Sequence, residues 1–303
     1  MKLFSHEMGL SRPQNGFEFF DLDITNDTRL FIDPYYFVHL KNNRFINEIK
    51  KTVATFITEL LVVVKSGNRV AANELCAHFG ETKGTGLGYS CDKINGNGTG
   101  KTLSSVIVDS LFASNVIALQ NVSNIEDFMI VCEGVAKDRV SDIVLSIGRK
   151  GFIEFTQDQC KKLSIPMKKT DEQLSYYCSK SKCWKSDYFD LPHIVDPLTL
   201  TEQYIILVPE KLLTEKVTYN FKYFLTNVVI PAYKEDAIKR NLSIVKTRKN
   251  GKRYVTNDDL FKFPEYKFLH KDDAVNFIAN NPESLEYFRR SVAPFIFNRL
   301  QVA

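Results

Sequence analysis

KDRVSDIVLSIGRKGFIEFTQDQC, residues 137–160, admits two folded readings. With period two, DIVLSI (142–147) and FIEFTQ (152–157) are strand-like runs on either side of a GRKG turn. With period 3.6, Val140, Ile143, Val144 and Ile147 make one apolar stripe. Phe152, Phe155, Gln159 and Leu163 make a second, so two helices would meet at a junction holding Gly148 and Gly151. Asp138 would then sit near a helix N-terminus, where its charge opposes the dipole. Local pattern leaves both readings open.

The rest of the chain sets the context. It has 303 residues, 44% hydrophobic and 25% charged, with a formal net charge of +4. That is enough for one large or two smaller domains with a sizeable core, and the mild positive excess is compatible with nucleic acid without demanding it. The longest apolar run, FITELLVVV (56–64), is too short to span a bilayer and is expected to be a buried helix. Six cysteines form no dense disulfide pattern, and the chain starts without an apolar signal region. A reduced, cytoplasmic setting is the expectation.

Moving outward, residues 17–38 read as a β-hairpin around TND, with Asp21, Asp23 and Asp33 punctuating it. Phe45 to Lys65 has helical spacing, Gly67 stops it, and a second helix is expected over Val70–Phe79. Residues 80–102 are a glycine-rich loop feeding an amphipathic helix at 103–114. FMIVCEGV (128–135) and QYIILVP (203–209) read as strands, the latter buried in a sheet. Residues 166–190 are polar and lysine-rich and look like an exposed insertion. Helical patterns resume at KYFLTNVVIPAY, and the tail from Asp272 to Leu300 reads as helix interrupted at Pro282 and Pro294. The class is therefore α/β or α+β: a mixed sheet flanked by helices, with a basic, largely helical C-terminal region. The expected division is an α/β core over 1–214 and a basic region over 215–303.

Three features invite chemistry. NGNGTGKT (95–102) offers backbone N–H groups and Lys101 to a phosphate, either of a nucleotide or of a nucleic-acid backbone. Asn95 stands where the nucleotide-binding GxxxxGK[ST] pattern needs glycine, and no hydrophobic strand leads in, so nucleotide binding is the lesser reading. Cys178 and Cys183, with His193 ten residues beyond, resemble half a zinc site. A structural zinc takes four ligands, so surface thiols are the better expectation. The third feature is KRNLSIVKTRKNGKRY (239–254), a basic hairpin around an Asn250-Gly251 turn of type I′. Its Lys246, Arg248, Lys249, Lys252 and Arg253 are placed to displace counterions from phosphates.

In the hairpin reading, Asp142 and Glu154 lie on neighbouring strands, and DQCKKL and QYIILVP can supply the following helix and strand. That order resembles the core of the PD-(D/E)XK nuclease superfamily over about a third of the chain. The resemblance implies Mg²⁺ held by Asp142 and Glu154, polarising the scissile phosphate and helping to generate hydroxide. The candidate catalytic set is Asp138, Asp142, Glu154 and Gln157. Thr156 stands where the superfamily carries its lysine. In the helical reading, Asp138 and Asp142 lie one turn apart on one face, near Glu133. The expected function is a Mg²⁺-dependent nuclease, with DNA the favoured substrate and restriction or phage defence a natural setting. The alternative is a non-catalytic nucleic-acid-binding or scaffold subunit that keeps a decayed nuclease core, acting with a partner subunit or a second copy of itself.

Overall fold

Residues 137–163 form one unbroken helix of 27 residues in the computed structural model, which describes residues 2–11, 14–40, 43–80, 82–88, 100–113, 122–195, 200–266 and 270–302. The hairpin reading is overturned, and the junction of the two-helix reading is absent as well. Gly148 and Gly151 are helical residues lying against the helix Arg44–Lys65. A Cβ on Gly148 would stand 2.6 Å from Ile49 Cγ2, and one on Gly151 would stand closer still to Ile49 Cγ1. Each glycine costs about 1 kcal/mol in a helix interior. Close contact between the two longest core helices offsets that cost. Val140, Ile143, Val144, Leu145, Ile147, Phe152, Ile153 and Phe155 are all buried, so apolar contact surrounds the helix rather than lining one stripe. Burial on several sides produces the consecutive apolar runs that also read as strand. Ser164 ends the helix in the left-handed region at φ 56°, and Ile165 N donates to Cys160 O at 2.9 Å.

The helices before it are α1 (Phe4–Glu7), α2 (Pro34–His39), α3 (Arg44–Lys65), α4 (Arg69–Cys76), α5 (Gly100–Phe112) and α6 (Phe128–Val131), and the central helix is α7 (Lys137–Leu163). After it come α8 (Phe221–Phe224), α9 (Ile230–Lys239), α10 (Asn257–Lys262), α11 (Lys271–Asn280) and α12 (Ser284–Val302). The strands are β1 (Phe31–Ile32), β2 (Lys168–Lys169), β3 (Leu174–Cys178), β4 (Cys183–Asp187), β5 (Asp190–Leu191), β6 (His193–Val195), β7 (Glu202–Tyr204), β8 (Leu213–Thr214), β9 (Lys246–Thr247) and β10 (Arg253–Tyr254). Among the described residues they pair antiparallel and two by two: β1 with β8, β2 with β5, β3 with β4, β6 with β7, and β9 with β10. The class is α+β. The strands form separate ribbons around a helical centre.

Several expectations change with the helical centre. Residues 17–38 are no hairpin: Phe19 bridges Pro209, β1 pairs with β8, and Asp33 caps α2 by accepting from Tyr35 N and Tyr36 N. Residues 128–131 are a short helix, not a strand. Of the 203–209 run only Gln203 and Tyr204 join a ladder. Ile205 to Val208 are buried, and their backbone is satisfied piecemeal, by Pro192 O, Gly84 O and the Thr156 hydroxyl. The 166–190 insertion is partly a core element, since Leu174 and Tyr177 are buried and Trp184 Nε1 donates to Leu75 O at 2.8 Å. Pro231 is carried by a π-turn at Leu225–Val229, which joins α8 to α9. The extra residue in that turn accommodates the missing proline N–H. Pro282 separates α11 from α12, whereas Pro294 lies inside α12.

The core also crosses the expected 214/215 boundary. Phe277, Ile278, Leu285, Phe288 and Val292 belong to the same buried cluster as Phe31, Phe56 and Ile143. A second cluster, with Phe4, Phe19, Phe155 and Leu207, lies where the N-terminal segment meets the end of α7.

Candidate functional site

The helix separates the expected nuclease residues. Asp142 and Glu154 are twelve residues apart on α7, about 18 Å along its axis and about 120° around it, so they share no metal ion. Glu154 instead lies 3.9 Å from Lys150, one turn before it, and Gln157 Nε2 donates to Asp190 O at 3.0 Å. Glu154 and Gln157 do line an open groove with Arg44, Glu48, Asp158 and Lys161. Its charges are largely matched internally, with Arg44 at 3.0 Å and Lys162 at 2.9 Å from Asp158. Thr156, at the lysine position, is buried, donates to Phe152 O at 2.8 Å and accepts from Leu207 N at 2.9 Å. It anchors the core and faces no groove. Asp138 lies in the first turn of α7 and Asp142 one turn on, half-buried. Among the described residues no group of three or more His, Cys, Asp or Glu side chains is arranged to hold a metal ion. Lys101 opens α5, but its side chain and the loop before it lie outside the described residues.

The first residues of α7 open onto a different site. A cleft of about 960 Å³ is bounded by Met129, the start of α7 at Val135–Lys137, the 215–226 segment and Lys271. Four lysines line it, Lys137, Lys216, Lys222 and Lys271, against one acid, Glu215. The N-cap of α7 is Ala136, which offers no side-chain acceptor to the first-turn N–H groups. Such a helix end favours an anion, and the lysines extend that preference across the cleft. Phe221 and Tyr223 add aromatic faces, and Tyr223 is 48% exposed.

Two of the lysines are positioned by local structure. Lys271 donates to Cys132 O at 2.8 Å and to Val135 O at 2.5 Å, which uses two of its three N–H donors. Burial pushes its ammonium down to about 8. Lys137 donates to Glu215 O at 2.9 Å and lies 4.3 Å from the Phe31 ring centroid, tying α7 to the opposite wall. Lys216 and Lys222 are exposed at the rim.

A buried ionic network fixes the wall behind them. Tyr219 points inward and donates to Asp127 Oδ1 at 2.7 Å, while its chain neighbours Thr218 and Asn220 line the cleft. Asp127 is fully buried and accepts from Arg289 of α12 at 2.5 Å and from Ser123 N and Asn124 N. Tyr35 donates to Arg289 O at 2.7 Å. Burial first, and then the neighbouring Asp127 charge, raise the Glu126 carboxyl well above the ordinary carboxylate range. One guanidinium thus faces two adjacent acids, and burial favours the protonated form of Glu126. Removing one partner of so buried a pair is costly, so the network holds α12 and the 217–221 wall in one arrangement.

The basic hairpin forms as expected, with one change in its turn. β9 and β10 pair through Lys246↔Tyr254 and Thr247↔Arg253. Gly251 alone in the turn has positive φ, 80°, and its N–H donates to Arg248 O at 2.9 Å. A type I turn followed by a left-handed glycine fits this pattern, whereas type I′ needs two positive φ values. Lys246 is held by Asp259 at 2.5 Å, Arg253 by Asn241 at 2.5 Å, and Arg248 lies 5.1 Å from the Tyr254 ring centroid. Lys249 and Lys252 project at the exposed tip.

The sequence reading missed the cleft lysines and aromatics. EKVTYNFKY (215–223) does interleave lysine with aromatic residues, which was a usable signal. Lys137 and Lys271 reach the same cleft only through tertiary packing.

The chain belongs to the family described as Domain of unknown function (DUF8370), whose model matches residues 9–220. No match was found among curated proteins or among solved structures. The match includes the α7 end of the cleft and its wall to Asn220. Phe221, Lys222, Tyr223 and Lys271 lie beyond it.

Proposed function

We propose that this DUF8370 protein binds nucleic acid, with a single strand seated in the lysine-lined cleft and its flanking phosphates met by the basic hairpin. The observation that carries this reading is the cleft's composition: four lysines and an uncapped helix start beside two aromatic side chains. A polyanion with flat, unstacked bases matches both halves of that surface, because cations follow the backbone while aromatic rings stack on bases. The Mg²⁺ site expected of Asp142 and Glu154 in the hairpin reading does not form once both fall on one helix. The binding alternative does not depend on them.

Fluorescence anisotropy with a labelled oligothymidylate, a labelled oligouridylate and a labelled duplex tests the proposal. The single strands should bind at low salt more tightly than the duplex. Tyr223→Ala should weaken single-strand binding by about 1–3 kcal/mol, the worth of one stacked base, and Tyr223→Phe should restore it. A parent protein that binds none of the probes at low salt would overturn the reading.

A further inference from the structure

The β3–β4 hairpin places Cys178 directly opposite Cys183, the last pair of the ladder before the turn SKSK (179–182). Residues so opposed in an antiparallel pair have Cα atoms about 4.5 or about 5.5 Å apart. Both spacings lie inside the range that a disulfide spans, roughly 4.4–6.8 Å. The two side chains leave the same face of the ribbon, since directly paired residues do. Both cysteines are free; Cys183 is exposed and Cys178 half-exposed.

The turn between them favours chemistry at one sulfur over the other. Cys183 Sγ donates to Ser181 Oγ at 3.3 Å, and the Ser181 hydroxyl also bonds the Cys178 sulfur. One hydroxyl can donate to one sulfur while accepting from the other. That bond, with the Ser181 and Lys180 backbone N–H groups and the Lys185 charge, lowers the Cys178 thiol to about 7. By contrast, burial raises Cys76, Cys132 and Cys160, which lie inside the protein.

We propose that Cys178 and Cys183 form a reversible thiol–disulfide couple oxidised by hydroperoxides, with Cys178 the attacking sulfur and Cys183 the resolving one. In the first step the Cys178 thiolate attacks the distal peroxide oxygen. The O–O bond breaks, Cys178 becomes a sulfenic acid, and the alkoxide or hydroxide leaves and takes a proton. In the second step the Cys183 sulfur attacks Cys178 sulfur and gives up its proton, and water departs as the S–S bond forms. A dithiol reductant reverses the couple by exchange. Trp184, the chain's single tryptophan, follows Cys183 and is packed 4.7 Å from His78, so its fluorescence reports the hairpin's state.

The test uses the full chain with Cys91→Ser, because Cys91 lies outside the described residues. Limiting hydrogen peroxide should remove two hydrogens from the intact mass. Peptide mapping should place the new bond between residues 178 and 183, and a dithiol should reverse the change. Cys183→Ser should stop at a single added oxygen on Cys178, trapped by dimedone, and Cys178→Ser should lose the bond altogether. The rate should climb with pH and level off above about 7, and Ser181→Ala should move that midpoint upward. Circular dichroism confirms that each variant is folded. Oxidation of Cys183 at an undiminished rate in Cys178→Ser, or peroxide leaving both thiols open to alkylation, would overturn the proposal.

Discussion

Lys271 shows how one side chain joins fold and binding surface. It is half-buried, its ammonium bonds the carbonyls that lead into α7, and it lines the cleft. Because burial lowers its ammonium to about 8, the group is cationic below that pH and neutral above it. Affinity for a single-stranded oligonucleotide should therefore fall as pH rises through about 8, beyond any drift seen with duplex. Lys271→Met should bind more weakly at neutral pH and lose the step. A step that persists in the methionine variant would assign the titration elsewhere. Thermal melts of both proteins separate this effect from a loss of folding, since the lysine also holds backbone.

At the scale of elements, the α3–α7 crossing decides the architecture. Gly151→Ala would press a methyl group on Ile49, and overpacking of this kind costs typically 1–3 kcal/mol. Equilibrium urea unfolding should show that loss although alanine is the better helix former. Combined with Ile49→Ala, which removes the crowding Cγ1, the double variant should lose less than the sum of the two single losses, and additive losses would contradict the close contact. The same crossing explains what could be read in advance. Arg44–Lys65 was legible because one face of it is apolar and its stop is local, at Gly67. α7 was ambiguous because burial on several sides lays consecutive apolar runs over the 3.6 period, and its glycines mimic a turn. Ile205–Val208 misled for a related reason: a fully buried extended run looks like a sheet strand, yet its N–H groups find separate partners instead of a ladder. The basic hairpin was legible because turn chemistry and charge are both local properties.

At the scale of the molecule, the matched family segment and the C-terminal helices share one core. Arg289 of α12 reaches Asp127, and Tyr219 closes the same network from the cleft wall. The cleft is thus built jointly by residues within 9–220 and residues beyond them. No helix among the described residues is long and apolar enough to cross a membrane. Positive charge is uneven along the chain, gathered at the cleft rim and at the 246–253 hairpin, while the net charge is only +4. A protein that uses those patches on phosphates releases counterions on binding, and each lost contact lowers the slope of log affinity against log salt by roughly 0.7 for a single strand. The most direct measurement is a binding titration of a labelled single-stranded oligonucleotide across a series of salt concentrations. It compares the parent with Lys216→Ala/Lys222→Ala and with Lys249→Ala/Lys252→Ala. Weaker binding with a shallower slope in both variants is the predicted result, the loss being about equal across base sequences. Slopes identical to the parent's in both would contradict the account and leave the lysines as solvated surface.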